Sequence, residues 1–273
     1  MWEPAKQTLV GAVAGCVEVT CMNPTIAIKN AVQEGRAVSL APAALYRGYA
    51  VNLGMCAPIT ASFFGATAAY TQLFAVAAGR APKGREGVGC AALGGATSAL
   101  FAGPADLVVV QQQRLGVSAR EAINTVVRGY GMAGLYRGAL GTAMRDGVVL
   151  AGLLGLAPVI SAELKELEAT KSWSRHSQML TASLVSGILG TAASMPFDAS
   201  KTLQQAFLDT QAKPEYATIR STLADMYAKG GVAALYAGGV PRGFRIICAT
   251  FILNSVKEWA QEAIAALEAK KQS

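Results

Sequence analysis

The sequence predicts an all-α membrane protein, with six transmembrane helices in three tandem two-helix repeats and a short surface helix inside each repeat. Three observations predict it. One motif occurs three times: Pro24-Thr-Ile-Ala-Ile-Lys29 with Gln33, Pro104-Ala-Asp106-Leu-Val-Val109 with Gln113, and Pro196-Phe-Asp198-Ala-Ser-Lys201 with Gln205. A Tyr-x-Gly follows each copy, at Tyr46–Gly48, Tyr136–Gly138 and Tyr236–Gly238, so one unit recurs three times. Finally, the 273 residues are 52% hydrophobic and only 15% charged, whereas a soluble domain carries roughly 25% charged residues. A chain this short of polar surface belongs in a bilayer.

Taken in order, residues 7–28 hold one charge, Glu18, and are long enough to cross a hydrocarbon core of about 30 Å. Further apolar runs cover about 51–79, 87–113, 139–162, 177–208 and 239–267. They are interrupted by Asp106 in the third, Arg145 and Asp146 in the fourth, Asp198 and Lys201 in the fifth, and Arg242, Arg245 and Lys257 in the sixth. Polar stretches 34–47, 114–137 and 209–236 separate the members of each pair. In the second of these, Val117, Ile123, Val126 and Val127 recur at near-helical spacing, which predicts a short helix lying along the membrane surface. Linkers at 80–86 and 163–176 join the pairs, giving repeats of residues 1–80, 81–170 and 171–273 that together make one transmembrane domain.

Composition also excludes. The net charge of +7 is scattered, without a basic face and interleaved aromatics, so nucleic acid is not an expected partner. Five cysteines sit in apolar stretches without CxxC spacing and read as buried, reduced thiols. With a single histidine, His176, no metal site is expected. No nucleophile–base set or phosphate loop appears, so neither an enzyme nor a cofactor is expected. The apolar run from Thr8 is too long for a cleavable signal and continues into the first repeat.

Small residues mark the odd spans, at Gly11–Gly15, Gly94–Ala96 and Gly187–Gly190. In membranes that spacing lets helix backbones approach closely. Pro24, Pro104 and Pro196 each remove a backbone hydrogen bond at a matching depth, and are expected to kink the odd helices. Just past each proline, positions +2, +5 and +9 project from roughly one face. An acid, a base and a glutamine on three such helices converge on one polar ring closing a central cavity.

The threefold Pro-x-acid-x-x-base with its later glutamine, short helix and aromatic-x-Gly resembles the mitochondrial carrier family over essentially the whole chain. The resemblance implies the mitochondrial carrier fold, with the short helices on the matrix side, in the mitochondrial inner membrane. It also implies a substrate site near the bilayer midplane, alternating access with one gate on each side, and cardiolipin as a bilayer partner. Within the family the acid of each odd helix pairs with the base of the next. That implies Asp106 with Lys201 and Asp198 with Lys29 as a matrix gate, braced by Gln33, Gln113 and Gln205. The third pair would be Ile26 with Val109, both apolar, so neither is left as an unpaired buried charge. On the other side, the family's acid positions read Ala68, Pro158 and Lys257, and the charge network expected there is absent.

The family's contact positions, seven residues after each Tyr-x-Gly glycine, are Met55, Arg145 and Arg245. Arg145 with Asp146 resembles the pair found in carriers of amino acids and related compounds, since arginine grips a carboxylate by a fork and aspartate meets an ammonium. Arg242 and Glu18 are further candidates, because charge at that depth is costly. Plainer readings stand beside these. Arg145 and Asp146 neutralise one another, Arg242 snorkels to the interface, Glu18 pairs with an arginine of the bundle, and Met55, Ile59 and Phe63 simply pack. The expected function is transport of a small carboxylate-bearing metabolite, amino-acid-like in character. The alternative is a transport-inactive carrier-fold subunit of an inner-membrane complex.

Overall fold

The computed structural model describes residues 3–167, 170, 172–249, 251–252, 255–256 and 259. Every regular element in it is helical. Helix α1 spans Glu3–Gln33, α2 is the single turn Pro42–Leu45, and α3 runs Tyr49–Ala78. Helix α4 is Arg85–Leu115, α5 is Ala119–Tyr130, and α6 is Ala139–Leu150. A π-helical segment, Ala151–Leu156, joins α6 to α7 at Ala157–Glu166. Helix α8 covers Arg175–Ala206, α9 is Ile219–Leu235, and a last helix, α10, begins at 239 and is helical at all its described positions through 259. Helices of some 30 residues at 1.5 Å each reach roughly 45 Å, more than a hydrocarbon core requires. Among the described residues, three stretches are long and apolar enough to cross a membrane, Pro42–Ala78, Arg85–Leu115 and Leu180–Ala206.

The long helices follow one another around a ring in chain order. Helix α3 packs on α1 and α4, α4 on α6, and both α6 and α7 on α8. Helix α10 closes the ring. Its Arg242 donates to Ser194 Oγ of α8 at 2.9 Å, and its Arg245 to Glu18 of α1 at 2.9 Å. The glycines expected to allow close approach do so on α4 and α8. A Cβ at Gly94 would lie 2.8 Å from the Thr67 backbone nitrogen, and one at Gly95 would lie 2.3 Å from the Asp146 carbonyl. Gly152, in the π segment, faces Gly190 of α8 at a distance a Cβ would reduce to 3.2 Å. A wide turn sits where two glycine backbones meet, and the continuous fourth span expected from the sequence is interrupted there.

The Tyr-x-Gly motif has a structural reason. Gly48, Gly138 and Gly238 have φ of 88°, 76° and 76°, the left-handed region that glycine enters at no steric cost, and each starts an even-numbered span. Each is also seated against the odd helix of the following repeat. A Cβ would meet Val109 from Gly48 at 2.9 Å, Gln205 from Gly138 at 2.9 Å, and Lys29 from Gly238 at 3.0 Å. The third repeat therefore closes on the first. Each odd helix continues through its proline. In α1 the carbonyl that Pro24 leaves without its helical partner, Thr20 O, accepts the Tyr46 hydroxyl at 3.2 Å.

The surface helices differ among the repeats. Helix α5 is capped by Ser118, whose Oγ accepts from Glu121 N, and it buries Ala122 and Val126 while Ile123 stays exposed. Helix α9 starts in a reciprocal Thr218–Ser221 capping box and bends at Gly230–Gly231. In the first repeat, Gly35 turns left-handed after α1 and only one turn of helix forms before Tyr46.

Candidate functional site

The helices enclose a cavity of about 380 Å³. Its wall carries five basic side chains, Lys29, Arg145, Lys201, Arg242 and Arg245, against four acidic ones, Glu18, Asp106, Asp146 and Asp198. Helix α3 supplies the rest of one side through Asn52, Cys56, Ile59, Thr60 and Phe63.

The closed end of the cavity is built by the residues just past the prolines. Lys201 Nζ lies 2.7 Å from Asp106 Oδ2, joining α8 to α4, and Lys29 Nζ lies 2.8 Å from Asp198 Oδ2, joining α1 to α8. Asp198 is the hub. At 1% exposure it also meets Arg242 at 3.3 Å, Arg145 at 3.5 Å and Lys201 at 3.8 Å, and accepts from Gln33 Nε2 at 2.9 Å. So many donors around one carboxylate offset the cost of removing it from water. Ile26 and Val109 line the same cavity.

The three glutamines play different parts. Gln33 braces the Lys29–Asp198 pair directly. Gln113 donates instead to Arg47 O at 3.1 Å and accepts from Asn30 Nδ2 at 2.7 Å. Gln205 donates to Gly103 O at 3.2 Å. A glutamine can brace an ion pair only where one exists, and Gln113 stands over the apolar Ile26–Val109 position.

Higher in the cavity, Arg145 is held by a fork on its neighbour, Nε to Asp146 Oδ1 at 2.7 Å and Nη2 to Asp146 Oδ2 at 3.0 Å. Its Nη1 reaches Asp106 at 3.1 Å. Arg242 faces inward rather than snorkelling, bound to Asp198 and Ser194. Arg245 is held through Nε and Nη2 by Glu18, yet its side chain is 38% exposed, against 15% for Arg145 and 12% for Arg242. Of the three arginines it is the one most open to an incoming anion.

Met55, expected to face the cavity, is not among the residues lining it. The lining stripe of α3 runs through Asn52, Cys56, Ile59 and Phe63, and Met55 lies roughly 80° around the helix from its centre. Sequence reasoning did not single out Thr191, Thr60 or Asn52, which also line the cavity. Each stands in an apolar run at no motif position, and only the helical spacing of Asn52 with Ile59 and Phe63 signalled a shared face. On the far side, Lys257 lies outside the described residues.

Residues 172–266 match a family model described as mitochondrial carrier protein. The chain is 26% identical over 260 residues to a Neurospora crassa protein named as a mitochondrial 2-oxoglutarate/malate carrier, covering 84% of this chain and 78% of that one. It is 24% identical to mitochondrial 2-oxodicarboxylate carrier 2 of Saccharomyces cerevisiae, covering 88% and 87%. It is 25% identical to mitochondrial citrate transporter D of Aspergillus niger, covering 88% of each. With three proline repeats in register and a ring that closes the third on the first, the chain is similar to the mitochondrial carriers, by a family model over its last third and by relatives that align along most of its length.

Proposed function

We propose that the chain moves a small di- or tricarboxylate across the inner membrane by alternating access, as a bundle of six transmembrane helices in repeats of residues 1–80, 81–170 and 171–273. The observation that carries this reading is the cavity, whose charged wall has one more cation than anions and whose most open charge is Arg245. A volume of about 380 Å³ suits a molecule of a few carbon atoms. The relatives that cover most of the chain are named for 2-oxoglutarate, malate, 2-oxodicarboxylates and citrate. Arg245, Arg242 and Arg145 form the anion-attracting wall, Glu18 and Asp146 hold two of them in place, and Lys29, Asp106, Asp198 and Lys201 form the matrix gate. The amino-acid-like reading requires Asp146 to meet an ammonium, and here both of its oxygens are taken by Arg145.

A second reading, a transport-inactive structural subunit, is favoured by Ala68 and Pro158, apolar where the family places acids. Uptake by the purified chain in liposomes separates the readings, with 2-oxoglutarate, malate, citrate and aspartate offered in turn. Transport of a plain dicarboxylate that falls at least tenfold in Arg245→Gln is expected. Aspartate uptake that Asp146→Asn abolishes would favour the amino-acid-like reading. No uptake of any of them, with co-migration in a large native complex, would favour the structural one.

A further inference from the structure

The six positions just past the prolines should hold three acids and three bases, yet Ile26 and Val109 supply one of neither. The ring is short of a cation on α4 and an acid on α1. Arg145, which sequence alone assigns to substrate, fills part of that gap. Its guanidinium has two working sides. The Nε–Nη2 side is occupied by Asp146 at 2.7 and 3.0 Å, and the remaining nitrogen, Nη1, lies 3.1 Å from Asp106 and 3.5 Å from Asp198. It therefore ties together the acids of the two surviving pairs, from a helix that contributes no motif residue to the ring. Asp146, only 7% exposed, fixes the plane of the guanidinium so that Nη1 points at the ring.

We propose that Arg145, which reaches both ring acids where Arg242 reaches Asp198, is the bridging cation of the matrix-side ring, standing in for the pair that Ile26 and Val109 cannot make, with Asp146 as the residue that positions it. A carboxylate that engages Arg145 must then draw it from Asp106 and Asp198, so that ligand binding loosens the ring at the same atom. Arg245, the more exposed arginine and one held by Glu18 away from the ring, makes the first contact. The inference rests on reading the ring as a gate, but its decisive measurement needs no substrate and stands whether or not the chain transports.

The experiment is a double-mutant cycle on the melting temperature of the full chain, purified without ligand, using Arg145→Gln and Asp106→Asn. The double variant is expected to lose clearly less than the sum of the single losses. Adding Asp146→Asn should shrink that coupling, whereas an Asp146 that only packs would lower stability and leave the coupling intact. Placing Ile26→Glu and Val109→Lys in the Arg145→Gln background should recover most of the lost melting temperature. Where Arg145→Gln fails to fold, Arg145→Met replaces it in the cycle, since it keeps an unbranched stem and gives up the cation for Asp106. Additive losses, or no recovery from the restored pair, would overturn the proposal. Absence of uptake by the unaltered chain, with the ligand-free coupling intact, would count against the function proposed above and not against this role of Arg145.

Discussion

The α8–α1 seam and the α1–α4 seam are built from equivalent positions of one repeat, but they hold by different chemistry. At α8–α1, Asp198 and Lys29 meet at 2.8 Å and Gln33 joins the same carboxylate. At α1–α4 the ring level offers Ile26 and Val109. One turn further along α1, Asn30 donates to Gln113 at 2.7 Å, and a turn beyond that Glu34 faces Arg114 at 3.9 Å. Residues 26 and 30 lie on one face of α1 and Glu34 follows just past its end, so polarity on this seam increases with distance from the cavity. At the equivalent positions of α8 the order reverses, from Asp198 through Thr202 to Ala206. The repeat conserves the docking of each odd helix on the next more strictly than the depth at which charge secures it. One seam is latched at the cavity floor and the other beneath it.

The largest expected effect comes from removing the hub of the charged seams. Asp198→Asn leaves Lys29, Lys201, Arg145 and Arg242 gathered around one side chain, each within 3.8 Å of its carboxylate now, with one fewer anion among them. Breaking a buried ion pair by deleting one partner costs about 3–5 kcal/mol. Thermal unfolding in detergent should show a loss at the upper end of that range. A loss no greater than that of an Asn30 variant would remove the distinction between the seams.

Much of this architecture was legible in the sequence because repeat arithmetic needs no geometry. Counting two and five residues from each proline names the positions, and the family resemblance supplies the pairing that brings Asp106 to Lys201 and Asp198 to Lys29. The Tyr-x-Gly glycines marked the repeat, although their left-handed turn and their seating on the next repeat are seen only in the structure. What was not legible depends on side-chain reach or backbone strain. Arg145 was assigned by position to the substrate, and nothing in its neighbours shows that Nη1 extends to two aspartates on other helices. The π segment reads as ordinary helix, since Ala-Gly-Leu-Leu-Gly-Leu keeps the apolar pattern and the cause lies across the interface at Gly190. Met55 fell off the lining because α3 turns the Asn52, Cys56, Ile59 and Phe63 face to the cavity, whereas the same count from the glycine gives the inward-facing Arg145 and Arg245 on the other two even spans.

A smaller effect is expected at the middle level of the α1–α4 seam. Asn30 is 3% exposed and Gln113 is 7% exposed, and the hydrogen bond between them is buried. Asn30→Leu leaves the Gln113 carbonyl oxygen without that donor, an omission that costs about 1–3 kcal/mol. Combining it with Gln113→Leu should cost less than the sum, because the Gln113 carbonyl is no longer there to be left without its donor. Melting temperatures of the two single variants and the double test this. Strict additivity would mean that the amides do not hold the seam, and that packing of Ile26 and Val109 alone does.

The smallest effect is expected at Glu34 and Arg114, and it decides whether the uncharged seam has a latch at all. Glu34 has its side chain fully buried and is gripped by Arg36 through Nε at 2.8 Å and Nη2 at 3.2 Å. Arg114, 27% exposed, adds its longer contact to the same carboxylate while its guanidinium lies 3.9 Å from the centre of the Phe207 ring, just past the end of α8. One arginine thus bears on the ends of all three odd helices. Partly exposed pairs contribute about 0.2–1 kcal/mol, and a cation over an aromatic face about the same. A cycle of Glu34→Gln with Arg114→Gln should therefore give a coupling of at most about 1 kcal/mol that shrinks in high salt, since exposed charge is screened. Phe207→Leu should weaken the protein by a similar amount with little salt dependence. If Arg114→Gln costs the same with and without Glu34, the arginine serves α4 and α8 only. The α1–α4 seam would then rest on two apolar residues and one amide pair, and would be the first of the three to part when the ring opens.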